Sequence, residues 1–399
     1  MLAAMLLASA PCVGPVCNFD TLAPYFAKLA GAREARGKPP VHILQIGDSH
    51  TAGDVLTGGW RDLLQAQYGN GGRGMLAPGR PYDGYFTRGV TASMSTGWRI
   101  DATFGKSYAA QHFPIGLSGF SLTSTVPGAK MGLSADTPAM AFDRFVICAM
   151  AGMYNREHLT VRTGEGEQIV DLTSDIVEPK CRTLHFGTPQ SAMEVVADNG
   201  PVTVTSWGAF RDDGRVVLSN VGIVGSQLQH FARTDDAVLA EELDAYAPDL
   251  IVLAFGTNEG FAPSIDSAAY EATLRTQIAR LRKLVPDTPI LLLGPPDALS
   301  RREELRGGQG NCPAIPGVAP VFAPPGLAQV RAVQRKVAGD LHLAWWDWQA
   351  RMGGICAAER WVNQTPPLMR GDYVHFKTPG GERLARALQD DLNHAANGQ

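Results

Sequence analysis

Four short segments hold side chains whose types and spacing suit acyl transfer. Gly47-Asp48-Ser49-His50 follows directly on the apolar run Val41–Ile46. A serine hydroxyl becomes a nucleophile once a neighbouring base takes its proton. The base that fits is His375, three residues after Asp372 in Gly371-Asp372-Tyr373-Val374-His375. That spacing places both side chains on one turn, where the carboxylate can orient the imidazole and stabilise its charged form. Asp391-Leu392-Asn393-His394 has the same spacing, but it stands among polar residues at the end of the last helix and reads as a solvated pair. Two segments could bind a developing oxyanion. The Asn258 amide in Gly256-Thr257-Asn258-Glu259 donates without titrating. A glycine N–H in Asn220–Ser226 can approach a substrate closely. Gly225 is the expected donor and Gly222 its rival. Each segment also has a bland reading: an N-cap serine at 49, and ordinary glycine or asparagine turns at 222–226 and 256–258.

What must position these groups is a sheet. Strands are expected at Val41–Ile46, Arg215–Asn220, Asp249–Phe255, Pro289–Leu293 and Leu343–Trp348, and helices at Trp60–Tyr68, Gln227–Tyr246, Ala268–Leu284, Gly326–Leu341 and Pro379–Leu392. Apolar strands alternating with amphipathic helices predict an α/β fold, a parallel sheet covered on both faces. Ser49, Gly225 and Asn258 then fall just beyond separate strands, where open α/β sheets bind ligands. Residues 79–214 break the rhythm. They are rich in Gly, Ser, Thr and Pro, with short alternating runs such as Leu159–Arg162 and Val202–Thr205, which predict antiparallel strands. The expected organisation is a leader at 1–20, an α/β domain in two pieces at 21–78 and 215–399, and an inserted all-β sandwich at 79–214. The loop Ser300–Pro325 is long enough to be functional or merely disulfide-tied.

With these blocks in place the chain resembles the SGNH (GDSL-like) hydrolase superfamily. The resemblance rests on Gly47-Asp48-Ser49, the Asn220–Gly225 segment, Gly256-Thr257-Asn258 and Asp372-x-x-His375. It covers about Val41 to Gly74 and Val216 to Leu392, and implies a flavodoxin-like three-layer domain. It further implies Ser49 as nucleophile, His375 as base and Asp372 as its orienter. The Ser49 N–H, Gly225 and Asn258 then form the oxyanion hole, and no cofactor or metal is required. His50 stands where the GDSL form has leucine, and Glu259 where an aspartate often follows the asparagine. A GDSH block followed by a large β insertion resembles the bacterial peptidoglycan O-acetylesterases, whose insertion is similar to a carbohydrate-binding module. The implied partner is an O-acetylated glycan substrate. A polysaccharide O-acetyltransferase using the same triad, and a non-catalytic glycan-binding protein on an esterase fold, are the alternatives.

Bulk properties are compatible with that class. The 399 residues are 45% hydrophobic and 19% charged, with a formal net charge of −4, and no basic block of a nucleic-acid binder is present. The run Met1–Ala10 is uncharged. It ends in a small-x-small pattern suited to signal-peptidase cleavage, and it is shorter than the ~20 apolar residues of a membrane anchor. A basic n-region is missing. Six cysteines fall into the neighbouring pairs Cys12/Cys17, Cys148/Cys181 and Cys312/Cys356, one of the 15 connectivities open to them. Together these predict an exported, periplasmic protein. Nothing in the sequence speaks to oligomeric state.

Overall fold

Five apolar runs share one sheet because none of them could be solvated on either face. In a computed structural model, Val41–Gly47, Leu250–Ala254, Ile290–Leu293 and Ala344–Trp346 are buried at every residue, and Val216–Gly222 at all but its last. Alternate residues face opposite layers. Ile43, Leu218, Val252 and Leu291 pack with Trp60 and Leu388 on one side. Leu44, Val217, Ile251 and Leu292 pack with Leu243, Ile278 and Val337 on the other. The five strands pair in parallel. Taken along the chain, their order across the sheet is second, first, third, fourth, fifth, one of the two common doubly wound orders. The switch point lies between Val41–Gly47 and Leu250–Ala254, which neighbour each other.

The structure describes residues 12, 14–34, 39–108, 113–152, 158–262, 264–302, 305, 312 and 319–397. Most of the expected leader and its cleavage pattern, and most of the 300–325 loop, lie outside these residues. Two expectations are corrected. The leader boundary at residue 20 is set too far along, because Val16–Cys17 pair antiparallel with Trp345–Trp346 as a sixth strand. Val16 and Leu22 are fully buried. The helix expected over 227–246 is two, Leu228–Phe231 and Asp236–Tyr246. Asp235 restarts the second by accepting from the N–H groups of Ala237 (2.8 Å) and Val238 (3.1 Å), an N-cap that a continuous apolar pattern conceals.

Between the helix Leu56–Tyr68 and Val216, the chain forms two antiparallel sheets. One runs through Val90–Met94, Ala129–Ala135, Ala192–Ala197, His158–Thr163 and Gly166–Asp171. The other contains Trp98–Ala102, Phe120–Ser124, Thr203–Phe210, Phe142–Ala151 and Glu178–Gln190. Leu133, Val161 and Val195 of the first share an apolar cluster with Leu122, Ile147 and Trp207 of the second. Gly72–Leu76 pairs with Trp207–Phe210, so this region begins pairing before residue 79.

The three disulfides join the neighbouring cysteines: Cys12 to Cys17, Cys148 to Cys181 and Cys312 to Cys356. Cys148 and Cys181 are direct partners across one antiparallel ladder. Ser300 and Phe322 pinch the long loop by exchanging backbone hydrogen bonds of 2.9 and 2.8 Å. Among the described residues no helix is long and apolar enough to cross a membrane.

A buried ion network ties the segment around Thr51 and Asp54 to the start of the antiparallel region. The Asp54 carboxylate accepts from Arg61 at 3.0 and 3.2 Å and from Arg73 at 3.1 Å. Both guanidinium groups also donate to Asn220 Oδ1, at 2.8 and 2.7 Å. The Asn220 amide in turn donates to the Thr51 carbonyl at 2.8 Å. Burial opposes charge on Asp54, but Arg61 and Arg73 outweigh it and hold its pKa below the ordinary value.

Candidate active site

Val41–Gly47 delivers Ser49 to the sheet's carboxyl edge through a turn that only glycine can make. A Cβ at Gly47 would stand 2.3 Å from Thr51 Oγ1 and 2.5 Å from the Ala254 carbonyl oxygen. Ser49 opens the short helix Ser49–Ala52, and its N-cap Asp48 accepts from the His50 N–H. Ser49 is therefore not the capping residue, which removes the bland reading of its hydroxyl. The side chain is half-buried. Its Oγ stands 2.9 Å from His375 Nε2, across 326 residues of chain.

His375 and Asp372 occupy the turn that enters the last helix, Thr378–Ala396. His375 Nδ1 is 2.9 Å from Asp372 Oδ2. The other carboxylate oxygen accepts from the N–H groups of Val374 and His375, each at 3.0 Å. Partial burial opposes the charge of Asp372, but these donors outweigh it and lower its pKa. An ionised Asp372 fixes the ring proton on Nδ1, leaving Nε2 to accept from the serine hydroxyl. The last helix packs on Leu56–Tyr68, the helix following Ser49. Gly59 lets it approach, since a Cβ there would lie 3.2 Å from that of Ala385, and Trp60 Nε1 donates to Gln389 at 2.7 Å.

The rival Asp-x-x-His pair does not meet the serine. Asp391 is not solvated as expected: it is buried, accepting from Trp346 Nε1 at 2.8 Å and Arg351 Nε at 2.7 Å. His394 is exposed and bonded to the Asp390 carbonyl.

Asn258 sits in Thr257–Gly260, directly past Leu250–Ala254. One of its amide hydrogens is given to the Ser226 carbonyl at 2.8 Å, which orients the amide and leaves the second for a ligand. Of the two glycines, Gly222 is packed shut. A Cβ there would lie 2.5 Å from Ala52 N and 2.6 Å from the Asp48 carbonyl oxygen. Gly225 has φ +81°, and its N–H has no partner among the described residues. Asn258→Ala is expected to lower kcat by about 10²–10³-fold, as loss of one oxyanion-hole donor does elsewhere, with KM little changed. Steady-state kinetics on an aryl acetate check it.

Behind these groups lie two residues whose roles the sequence did not disclose. His50 is buried, with Nδ1 3.2 Å from Asp48 Oδ1 and Nε2 3.0 Å from the Val374 carbonyl. It thereby links the serine turn to the histidine turn. Burial works against its charged form, but Asp48 and the carbonyl outweigh burial, and its pKa is raised. Glu259 is buried beside the oxyanion segment, and Oε1 accepts from the Leu228 N–H at 2.8 Å. Burial is the main cause that pushes its pKa up from 4.5 to about 7. Folding therefore holds its proton more tightly than the unfolded chain does. The associated stability is fully present below about pH 4.5 and is lost as the pH rises to about 7. Glu259→Gln is expected to flatten that part of the profile, by an amount on the order of 3 kcal/mol, read from urea unfolding at pH 5 and pH 8. A slope unchanged by the substitution would contradict the assignment.

The cleft over Ser49 and His375 has a volume of about 330 Å³. Val55, Leu56, Tyr82, Phe86, Val224 and Arg370 line it.

The model of the GDSL-like lipase/acylhydrolase family matches residues 196–383. A solved structure described as a peptidoglycan O-acetylesterase is 26% identical, covers 97% of this chain and 100% of its own, and superposes with a TM-score of 0.78. A family two carbohydrate esterase from Cellvibrio japonicus is 15% identical, with coverages of 77% and 98% and a TM-score of 0.29. An acetyl xylan esterase is 18% identical, with coverages of 45% and 82% and a TM-score of 0.31. These last two superpose too poorly to bear on the argument. No protein of curated function matches the sequence. The family model and the whole-length superposition agree with the serine and histidine brought together at the switch point: this chain is a serine hydrolase similar to the GDSL-like lipase/acylhydrolase family.

Proposed function

We propose that the protein removes O-acetyl groups from a bacterial cell-wall polysaccharide, peptidoglycan, with Ser49, His375 and Asp372 as its catalytic triad. Ser49 Oγ attacks the acetyl carbonyl carbon while His375 Nε2 takes its proton. The resulting oxyanion is held by the N–H groups of Ser49 and Gly225 and by the Asn258 amide. The C–O bond to the sugar breaks, and His375 returns the proton to the leaving hydroxyl. Water, deprotonated by His375, then attacks the acetyl-serine, releasing acetate and restoring the hydroxyl. Asp372 stabilises the imidazolium in both halves. None of these steps calls on a cofactor.

The observation that carries this reading is the pair of 2.9 Å contacts from His375 to Ser49 and to Asp372, at the base of an open cleft. The substrate class rests on the 26% identical esterase covering the whole chain. In this reading residues 16–78 and 215–399 form a flavodoxin-like hydrolase domain, and 79–214 an inserted sandwich bordering its cleft. Export to the periplasm accords with three disulfides. The test is acetate release from O-acetylated peptidoglycan by the purified protein beside a Ser49→Ala control. Aryl acetate hydrolysis without any release from the polymer would refute the substrate and leave the hydrolase.

A further inference from the structure

The cleft above Ser49 has an uneven chemical lining. Among the described residues, Arg370 is its one titratable cation apart from His50 and His375, and no aspartate or glutamate lines it. Arg370 is exposed, and its guanidinium has no ion pair or hydrogen bond among the described residues. By contrast Arg351 is paired with Asp391 and Arg88 with Asp62. Phe86, 60% exposed, lines the same cleft. The Phe86 ring has no aromatic or cationic neighbour among the described residues, whereas Tyr82 beside it packs on Tyr85 and Phe120. An unpaired guanidinium and a bare aromatic ring lining one cleft are the elements that recognise a carboxylate and the apolar face of a sugar ring.

The charge of the whole chain makes the local cation informative. With a formal net charge of −4, the protein's overall field opposes an anionic polymer rather than collecting one. A carboxylate therefore has to be bound by a group at the site. Arg370 is placed for that by its own backbone: its N–H donates to the His375 carbonyl at 2.8 Å, and its carbonyl accepts from Tyr373 N–H at 3.1 Å. The turn that sets the imidazole thus sets the root of the guanidinium as well.

We infer that Arg370 is a specificity-determining residue that binds a carboxylate on the acetylated sugar, with Phe86 stacking on the ring that carries the ester. This rests on the esterase reading and narrows its substrate to acidic sugars. The carboxylate can belong to a lactyl ether, as in N-acetylmuramic acid, or to a uronic acid.

Three substrates separate the possibilities: 6-O-acetyl-N-acetylmuramic acid, 6-O-acetyl-N-acetylglucosamine, which lacks only the lactyl group, and an O-acetylated uronate oligomer. The quantity read is kcat/KM for each acidic sugar divided by that for the neutral one. Arg370→Gln is expected to lower the ratio by about 10–100-fold, through KM, as loss of a charge-assisted bond does. Arg370→Lys is expected to keep part of it, because charge remains while the planar fork is lost. Arg370→Glu should bring it below one. Phe86→Ala should raise KM for all three sugars together. The acidic substrate with the larger wild-type ratio identifies the source of the carboxylate. A wild-type ratio near one, or one unmoved by Arg370→Gln, overturns the inference while leaving the esterase reading intact. Turnover of an aryl acetate but of none of the three sugars removes both.

Discussion

Replacing Ser49 with alanine lowers kcat by at least about 10⁴-fold, and toward about 10⁶-fold if the triad acts as a unit. The Ser49–His375 contact of 2.9 Å makes the hydroxyl useless without its base, and the base idle without its hydroxyl. His375→Ala is therefore expected to lose about as much, and the double variant no more than either alone. Asp372→Asn should leave the fold intact and cost about 10⁴-fold, because an amide can hold the imidazole in the wrong tautomer. Single-turnover measurements with an aryl acetate distinguish these outcomes. Alanine at 49 with rates near wild type would remove Ser49 from the mechanism, and additive losses would show the two residues working separately.

Asp54→Ala destabilises the protein by about 3–5 kcal/mol, the usual cost of removing one member of a buried ion network. The reason lies in the count of charges. Arg61, Arg73 and Asp54 are all within 1% of full burial, and without the carboxylate two guanidinium groups are left facing one amide oxygen of Asn220. Asp54 also has a depressed pKa. Its contribution is present above the carboxylate's ordinary range near pH 3.8 and is lost as the pH falls through the lower folded value. Urea unfolding at neutral pH measures the loss. A change under 1 kcal/mol would mean that water enters the network and solvates the arginines. Activity is expected to fall further than unfolding explains, because Asn220 holds the Thr51 carbonyl in the helix that carries Ser49.

Much of this site was legible because its parts abut strong local signals. The runs before Ser49 and before Asn258 are apolar strands, the first interrupted by His42 and Gln45, and glycine follows each where the chain must turn. Sequence could not choose between Gly222 and Gly225. Only tertiary packing distinguishes them, since the backbone of Asp48 and Ala52 closes over Gly222 while Gly225 stays open. Of the two Asp-x-x-His copies the structure brings the first to Ser49, while Asp391 of the second is buried rather than solvated, because a buried acid looks polar in sequence until Trp346 and Arg351 are seen to satisfy it. The role of His50 was hidden for the same reason: its partner at Val374 is a carbonyl, which has no residue identity. The cleft walls at Tyr82 and Phe86 belong to a stretch without periodicity. Their neighbours are remote in the chain, so no local pattern announces them.

The helix pair joining Leu56–Tyr68 to Thr378–Ala396 carries a consequence for biosynthesis. Ser49 emerges from the ribosome early, whereas the imidazole that activates it in the proposed triad comes 326 residues later, followed by the helix that clamps it. Until then a nascent chain is esterolytically silent, however well its first strands have folded. Any fragment truncated ahead of residue 371 shares that silence, so synthesis of the segment from 371 onward arms the proposed triad.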